Sequence, residues 1–171
     1  MSDFAHHLLL ARIRDGERLD LQADEAEREA IAERLQLPSL ARFDAHVTLS
    51  REGDRVQASG RIKAQFEQSC VATGEPVPAS IDEPFDLLFL PEPNTAADEE
   101  IELSEGDLDI VFHDGGAIDL GSALADTLAL ALDPYPRSPE ADSALRQAGV
   151  LTEEQASPFA VLARLQGSGD R

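Results

Sequence analysis

The sequence predicts an α+β fold: an antiparallel β-meander packed with helices, with C-terminal helices joined by Pro-rich turns. Three observations predict it. Apolar and polar residues alternate through 43–50 and 56–66, on either side of a glycine-containing turn. Apolar residues recur at helical spacing through 26–35 and 120–132. Proline then punctuates the chain at Pro134, Pro136 and Pro158. A period of two marks a strand with one buried face, and a period of 3.6 marks an amphipathic helix.

In chain order, Leu8-Leu9-Leu10-Ala11-Arg12-Ile13 reads as a short strand. Asp24 is placed to cap a helix, and Glu27 follows at the spacing of a capping box. Ala26, Ala30, Ile31 and Leu35 share one face of that helix, and Pro38 stops it. Phe43, Ala45, Val47 and Leu49 then alternate with Asp44, His46, Thr48 and Ser50. After the turn Arg51-Glu52-Gly53-Asp54, Val56, Ala58, Gly60, Ile62, Ala64 and Phe66 share one parity, which makes a β-hairpin. A third strand is expected from Ala79 to Leu90, with Ile81, Glu83, Phe85, Leu87 and Phe89 on one side. The segment between, Gln68 to Pro76, is a turn by its Gly and Pro content.

Pro91 to Asp109 carries many acids and no base, so its first half reads as a solvated acidic loop. Leu108 to Phe112 has the composition of a short strand. Asp119 caps a helix running to about Leu132, with Leu120, Leu124, Leu128, Ala131 and Leu132 on its buried stripe. Pro134 ends it, because the residue before a proline is driven out of the helical region. A short helix is expected near Ala141 to Ala148, and a last one from Phe159 to Leu165, opened by Pro158 at its first position. The expected organisation is one domain over 1–171. Its parts are an N-terminal strand and helix (1–38), a β-meander (41–91), an acidic loop (92–107) and a C-terminal helical part (117–166).

Charge bounds the partners. The chain of 171 residues has 34 acids against 14 bases, a formal net charge of -20. Such a surface repels phosphate, so general nucleic-acid binding by counterion release is not expected. No apolar run nears the ~20 residues of a bilayer span, so no membrane association is expected. The first residues lack a basic n-region, and one cysteine cannot make an internal disulfide. The expected location is the cytoplasm.

Few residues suggest chemistry. His6 and His7 are adjacent and point apart on either kind of element. His46 falls on the polar face of a strand and His113 in a turn, and no paired zinc-ligand spacing joins them to Cys70. Cys70 lies among acids, Glu67 and Glu75, which raise a thiol pKa, so it reads as a small residue in a turn. The acids show no calcium-loop register, and no phosphate-binding glycine loop or nucleophile elbow occurs. No catalytic residue, metal or cofactor is therefore expected. Arg61 and Lys63 share one parity on the second hairpin strand, with Arg42 and Arg51 near the strand ends. They could form a basic stripe, though no aromatic residue interleaves for base stacking.

Three stretches carry a family resemblance: Phe66-Glu67-Gln68-Ser69-Cys70-Val71-Ala72-Thr73-Gly74-Glu75-Pro76-Val77, then Ala117 to Leu124 continuing through Leu128 to Arg137, and last Ser157 to Leu165. In this order, over roughly residues 40 to 166, they resemble the YceD family of large-subunit ribosomal RNA accumulation proteins. The resemblance implies a role in ribosomal RNA accumulation or processing and in ribosome biogenesis, with no catalytic residues. Many members carry C-x2-C at the turn and a further Cys after the Pro-rich segment, which suggests a metal. Here Cys70 matches the first position, Thr73 stands at the second, and no Cys occurs near Pro136 to Pro139.

The expectation is thus a non-enzymatic ribosome-biogenesis factor that binds a basic ribosomal protein, an assembly factor or a nuclease, with ribosomal RNA association at most indirect. Candidate partner-binding residues are Arg61, Lys63, Cys70, Pro134, Tyr135, Arg137, Phe159 and Leu162. Two alternatives stand beside it: a small metal-dependent or carboxylate-based hydrolase, and an acidic adaptor unrelated to ribosomes.

Overall fold

The computed structural model of the protein describes residue 4 and residues 6–93 and 109–150. The chain opens with strand β1 (His7–Leu9) and a 3-10 turn, Leu10–Arg12. Then come β2 (Glu17–Gln22), helix α1 (Glu25–Arg34), β3 (Ser39–Glu52), β4 (Arg55–Ser69) and β5 (Pro76–Pro91). After them lie β6 (Asp109–His113), β7 (Ala117–Asp119), α2 (Leu120–Ala131) and α3 (Ala141–Gln147). The α+β class is as the sequence predicts. Two compact units divide the chain: Met1–Gln68 with Pro78–Pro134, and Ser69–Val77 with the chain from Tyr135 onward.

In the first unit, a five-stranded sheet runs in the order β2-β3-β4-β5-β6, beside a two-stranded sheet of β1 and β7. The hairpin of β3 and β4 holds the predicted register: Phe43 faces Ala64, Ala45 faces Ile62 and Leu49 faces Ala58. All of these are buried, together with Val56, Phe66, Phe85, Leu87 and Phe89 on the same side. That face meets Ile31 of α1 and Leu120, Leu124 and Leu128 of α2 in one apolar cluster. Phe4 joins it, its ring 5.3 Å from that of Phe43 and edge-on. Burial of such a side chain is worth about 1.5–3 kcal/mol, so the core rests on these large residues.

The sheet departs from a simple meander at both ends. β2 was not expected, yet it pairs antiparallel with β3, Leu19 opposite Val47 and Leu21 opposite Ala45. β6 pairs with β5 in parallel, not antiparallel. Parallel partners need a connection that carries the chain back, which a tight turn cannot supply. The expected strand at 8–13 is a strand only to Leu9. Leu10 and Ile13 are both buried at a spacing of three, the repeat of a 3-10 turn rather than of a strand.

Helix α1 is closed at both ends. The Asp24 carboxylate accepts from the Glu27 N–H at 2.9 Å, and the Glu27 carboxylate accepts from the Asp24 N–H at 2.8 Å. A cap of this kind is worth about 1 kcal/mol. At the other end Gln36 takes a left-handed conformation, φ 55°. The Leu37 N–H then reaches the Ala32 carbonyl and the Gln36 N–H the Glu33 carbonyl, which is a Schellman closure. It turns Leu37 back beside the helix end. The buried residues of α1 are Ile31 and Ala32; Ala26, expected on that face, is exposed. Asp119 caps α2 as expected, accepting from Ser122 N–H at 3.0 Å.

In the second unit α3 lies where the sequence places a short helix, and Ala141 is its buried residue. The expected last helix, with Phe159 and Leu162, lies outside the described residues.

Candidate functional site

The outward face of the five-stranded sheet carries the cations that the sequence reads mainly as solvated outward positions, with a basic stripe as the alternative. Alternation turns Arg42, Asp44 and His46 of β3, and Arg61 and Lys63 of β4, away from the core. Register then sets His46 beside Arg61 and Asp44 beside Lys63, and on the other side Asp20 beside His46. Each base meets an acid. Arg61 Nε donates to Asp82 Oδ1 at 2.9 Å, and Lys63 Nζ lies 3.4 Å from Asp82 Oδ2. Arg42 pairs with Asp44, and His46 Nδ1 is 2.5 Å from Asp20 Oδ1. The Arg61 guanidinium, chiefly through its hydrogen bond, holds the Asp82 carboxyl below the usual carboxylate range. Asp44 is buried, and its Oδ1 has no hydrogen-bond partner. Arg51 does not join the row: its guanidinium donates to the Leu10 and Gly53 carbonyls at the hairpin end. The face is therefore a lattice of ion pairs, not a free cationic stripe.

The turn around Cys70 forms a second cluster. Gly74, at φ 75°, lets the chain fold back so that its N–H meets the Cys70 carbonyl, while the Cys70 N–H meets the Glu75 carbonyl. The Val71 N–H bonds to the Pro136 carbonyl at 2.9 Å, which ties the turn to the Pro-rich segment. Cys70 is buried, and the Ser138 N–H donates to its Sγ at 3.3 Å. Thr73 Oγ1 lies 3.5 Å from Ser138 Oγ. Hydrogen bonds from the Ser138 hydroxyl and N–H, then from Thr73, pull the Cys70 thiol down to about 6. The acidic neighbours were expected to raise it; donors aimed at the sulfur act at closer range and win.

With Thr73 in the second position of the C-x2-C pattern, the sequence argues against a metal at this turn. One thiol with two neutral hydroxyls is not a zinc-type donor set, which takes four nitrogen, sulfur or carboxylate ligands. Among the described residues no group of three His, Cys, Asp or Glu could hold an ion.

The other candidates are dispersed. Arg137 pairs with Asp142 at 2.6 Å, and Pro134 and Tyr135 are exposed. His113, buried, spends both ring nitrogens on backbone: Gly115 N–H donates to Nδ1 and Nε2–H donates to the Asp54 carbonyl. Those bonds assign the neutral Nε2–H tautomer and a structural task. The sequence showed neither Ser138 beside Cys70 nor Asp82 beside Arg61, since both pairings are distant along the chain.

A family model described as large ribosomal RNA subunit accumulation protein YceD matches residues 58–166. The chain belongs to the YceD family. The YceD match starts inside β4 and takes in β5, β6, α2, α3 and the Cys70 cluster, and leaves β1 to β3 and α1 before it. The description ties YceD proteins to accumulation of the large-subunit ribosomal RNA. Searches of curated proteins and of solved structures found no match. No helix among the described residues is long and apolar enough to cross a membrane.

Proposed function

We propose that this YceD protein promotes accumulation of large-subunit ribosomal RNA without catalysis, in the cytoplasm, by binding a basic protein partner of the assembling subunit. The observation that supports this is the state of its outward cations. Arg42, Arg61 and Lys63 are each held by a carboxylate of the same sheet. Exposed pairs of this kind are weak, about 0–1 kcal/mol each, so a phosphate could compete for one cation. It would then face the carboxylate it had displaced, Asp44 or Asp82, on a chain of net charge -20. A ribosomal protein or an assembly factor rich in Lys and Arg meets no such opposition and is drawn in by the same field. A nuclease recruited in this way would serve processing equally.

The test is recovery of the native protein with its partners at two salt concentrations, before and after nuclease treatment. Partners retained after nuclease and weakened by salt are expected. Loss of every partner with the RNA would overturn the protein-binding route.

A further inference from the structure

Resting on the protein-partner reading above, we propose that the groove between α1 and the start of β3 docks a basic amphipathic segment of that partner. The groove has a volume of about 480 Å³, within the range of sites that enclose a ligand or several side chains. Its floor is apolar: Ala32 and Leu40 are buried, and Leu37 is set against them by the helix closure at Gln36. Its wall is a ladder of acids. Glu25, Glu29 and Glu33 recur every four residues, so one stripe of α1 carries all three.

All three are exposed, and among the described residues none forms an ion pair. Asp20, Asp44, Asp82 and Asp126 of the same unit, by contrast, each lie beside a basic side chain. Arg28, on the same wall, is turned to the Ala23 carbonyl at 2.9 Å. An apolar trough beside unanswered carboxylates is complementary to a helix or strand with Leu-like anchors and a Lys or Arg edge. The same carboxylates repel phosphate, which disfavours RNA and an anionic membrane as occupants. The groove lies before the residues that match the family, so the proposal stands on the geometry alone.

The probe is a synthetic amphipathic lysine–leucine peptide, compared with oligolysine and with a glutamate–leucine peptide of the same periodicity. Binding to the full chain is followed by backbone amide shifts. The lysine–leucine peptide is expected to move the amides of Ala32, Leu37 and Leu40 and to bind at least about tenfold more tightly than either comparison peptide. Neutralising the ladder in E25Q/E29Q/E33Q should weaken it about tenfold, the sum of three exposed charge contacts. E52Q/D54N/E83Q changes the net charge equally and should weaken it by less than about twofold. Shifts confined to other surfaces, or equal losses in the two triple variants, overturn the proposal.

Ribosome profiles separate this from the function on which it rests. Normal large subunits in a deletion strain would sink the ribosomal role and leave the groove to the peptide shifts. A deficient deletion strain fully rescued by E25Q/E29Q/E33Q would sink the groove and keep the role.

Discussion

A thiol releases its proton early when donors aimed at the sulfur favour the thiolate. At Cys70 the Ser138 hydroxyl and N–H and the Thr73 hydroxyl supply them, and the thiol titrates at about 6 against an ordinary 9.0. The folded chain therefore holds fewer protons than the unfolded one between those values, and folding gains stability as pH rises across that window. The gain is complete above the unfolded value and is lost as pH falls through about 6. Removing one donor in Ser138→Ala leaves the backbone N–H in place, so the thiol should move part of the way back up. Titration of the thiolate ultraviolet absorbance checks this: a midpoint near 6 that rises in Ser138→Ala is expected. An ordinary thiol midpoint in the unaltered protein would refute the assignment. None of this was legible in sequence, where Cys70 has acids for neighbours and Ser138 stands 68 positions away.

Elements show the opposite balance, since much of their signal is local. The hairpin of β3 and β4, the capping box of α1 and the Asp119 cap of α2 were all readable, because each needs only residues within a few positions. β2, the β1–β7 pairing and the parallel pairing of β6 were not, because each is made by a distant partner, although β6 itself was expected as a short strand. Gly121 marks the same limit inside a helix that was otherwise predicted. Within a helix Ala is ordinarily better than Gly by about 1 kcal/mol, so Gly121→Ala should stabilise on propensity alone. A Cβ at Gly121 would overlap the Phe4 carbonyl oxygen, which is backbone and cannot swing aside. Overpacking typically costs about 1–3 kcal/mol, which outweighs the propensity gain. Urea unfolding of Gly121→Ala is expected to show a net loss of up to about 2 kcal/mol. A gain would mean that the N-terminal segment bearing Phe4 does not pack against α2.

At the scale of the whole molecule two electrostatic effects oppose each other. The ion pairs on the outward sheet face, Arg42–Asp44, and Arg61 and Lys63 with Asp82, favour the fold and weaken as salt is added. The net charge of -20 disfavours any compact state, and that repulsion also weakens with salt. The pairs are mostly exposed, about 0–1 kcal/mol each, and salt removes only part of each. The repulsion is a sum over 34 acids and 14 bases, in which the unanswered carboxylates of Glu25, Glu29 and Glu33 take part. The repulsion therefore outweighs the pairs, and salt relieves it. The urea midpoint should rise when sodium chloride goes from about 0.01 M to about 0.5 M, where the Debye length contracts from ~30 Å to a few ångströms. The rise should shrink in E25Q/E29Q/E33Q, which begins with less charge to screen. A falling midpoint would show that the sheet-face pairs outweigh the net charge. In that event the surface would hold its cations too firmly for its anionic field to be the feature a basic partner feels first.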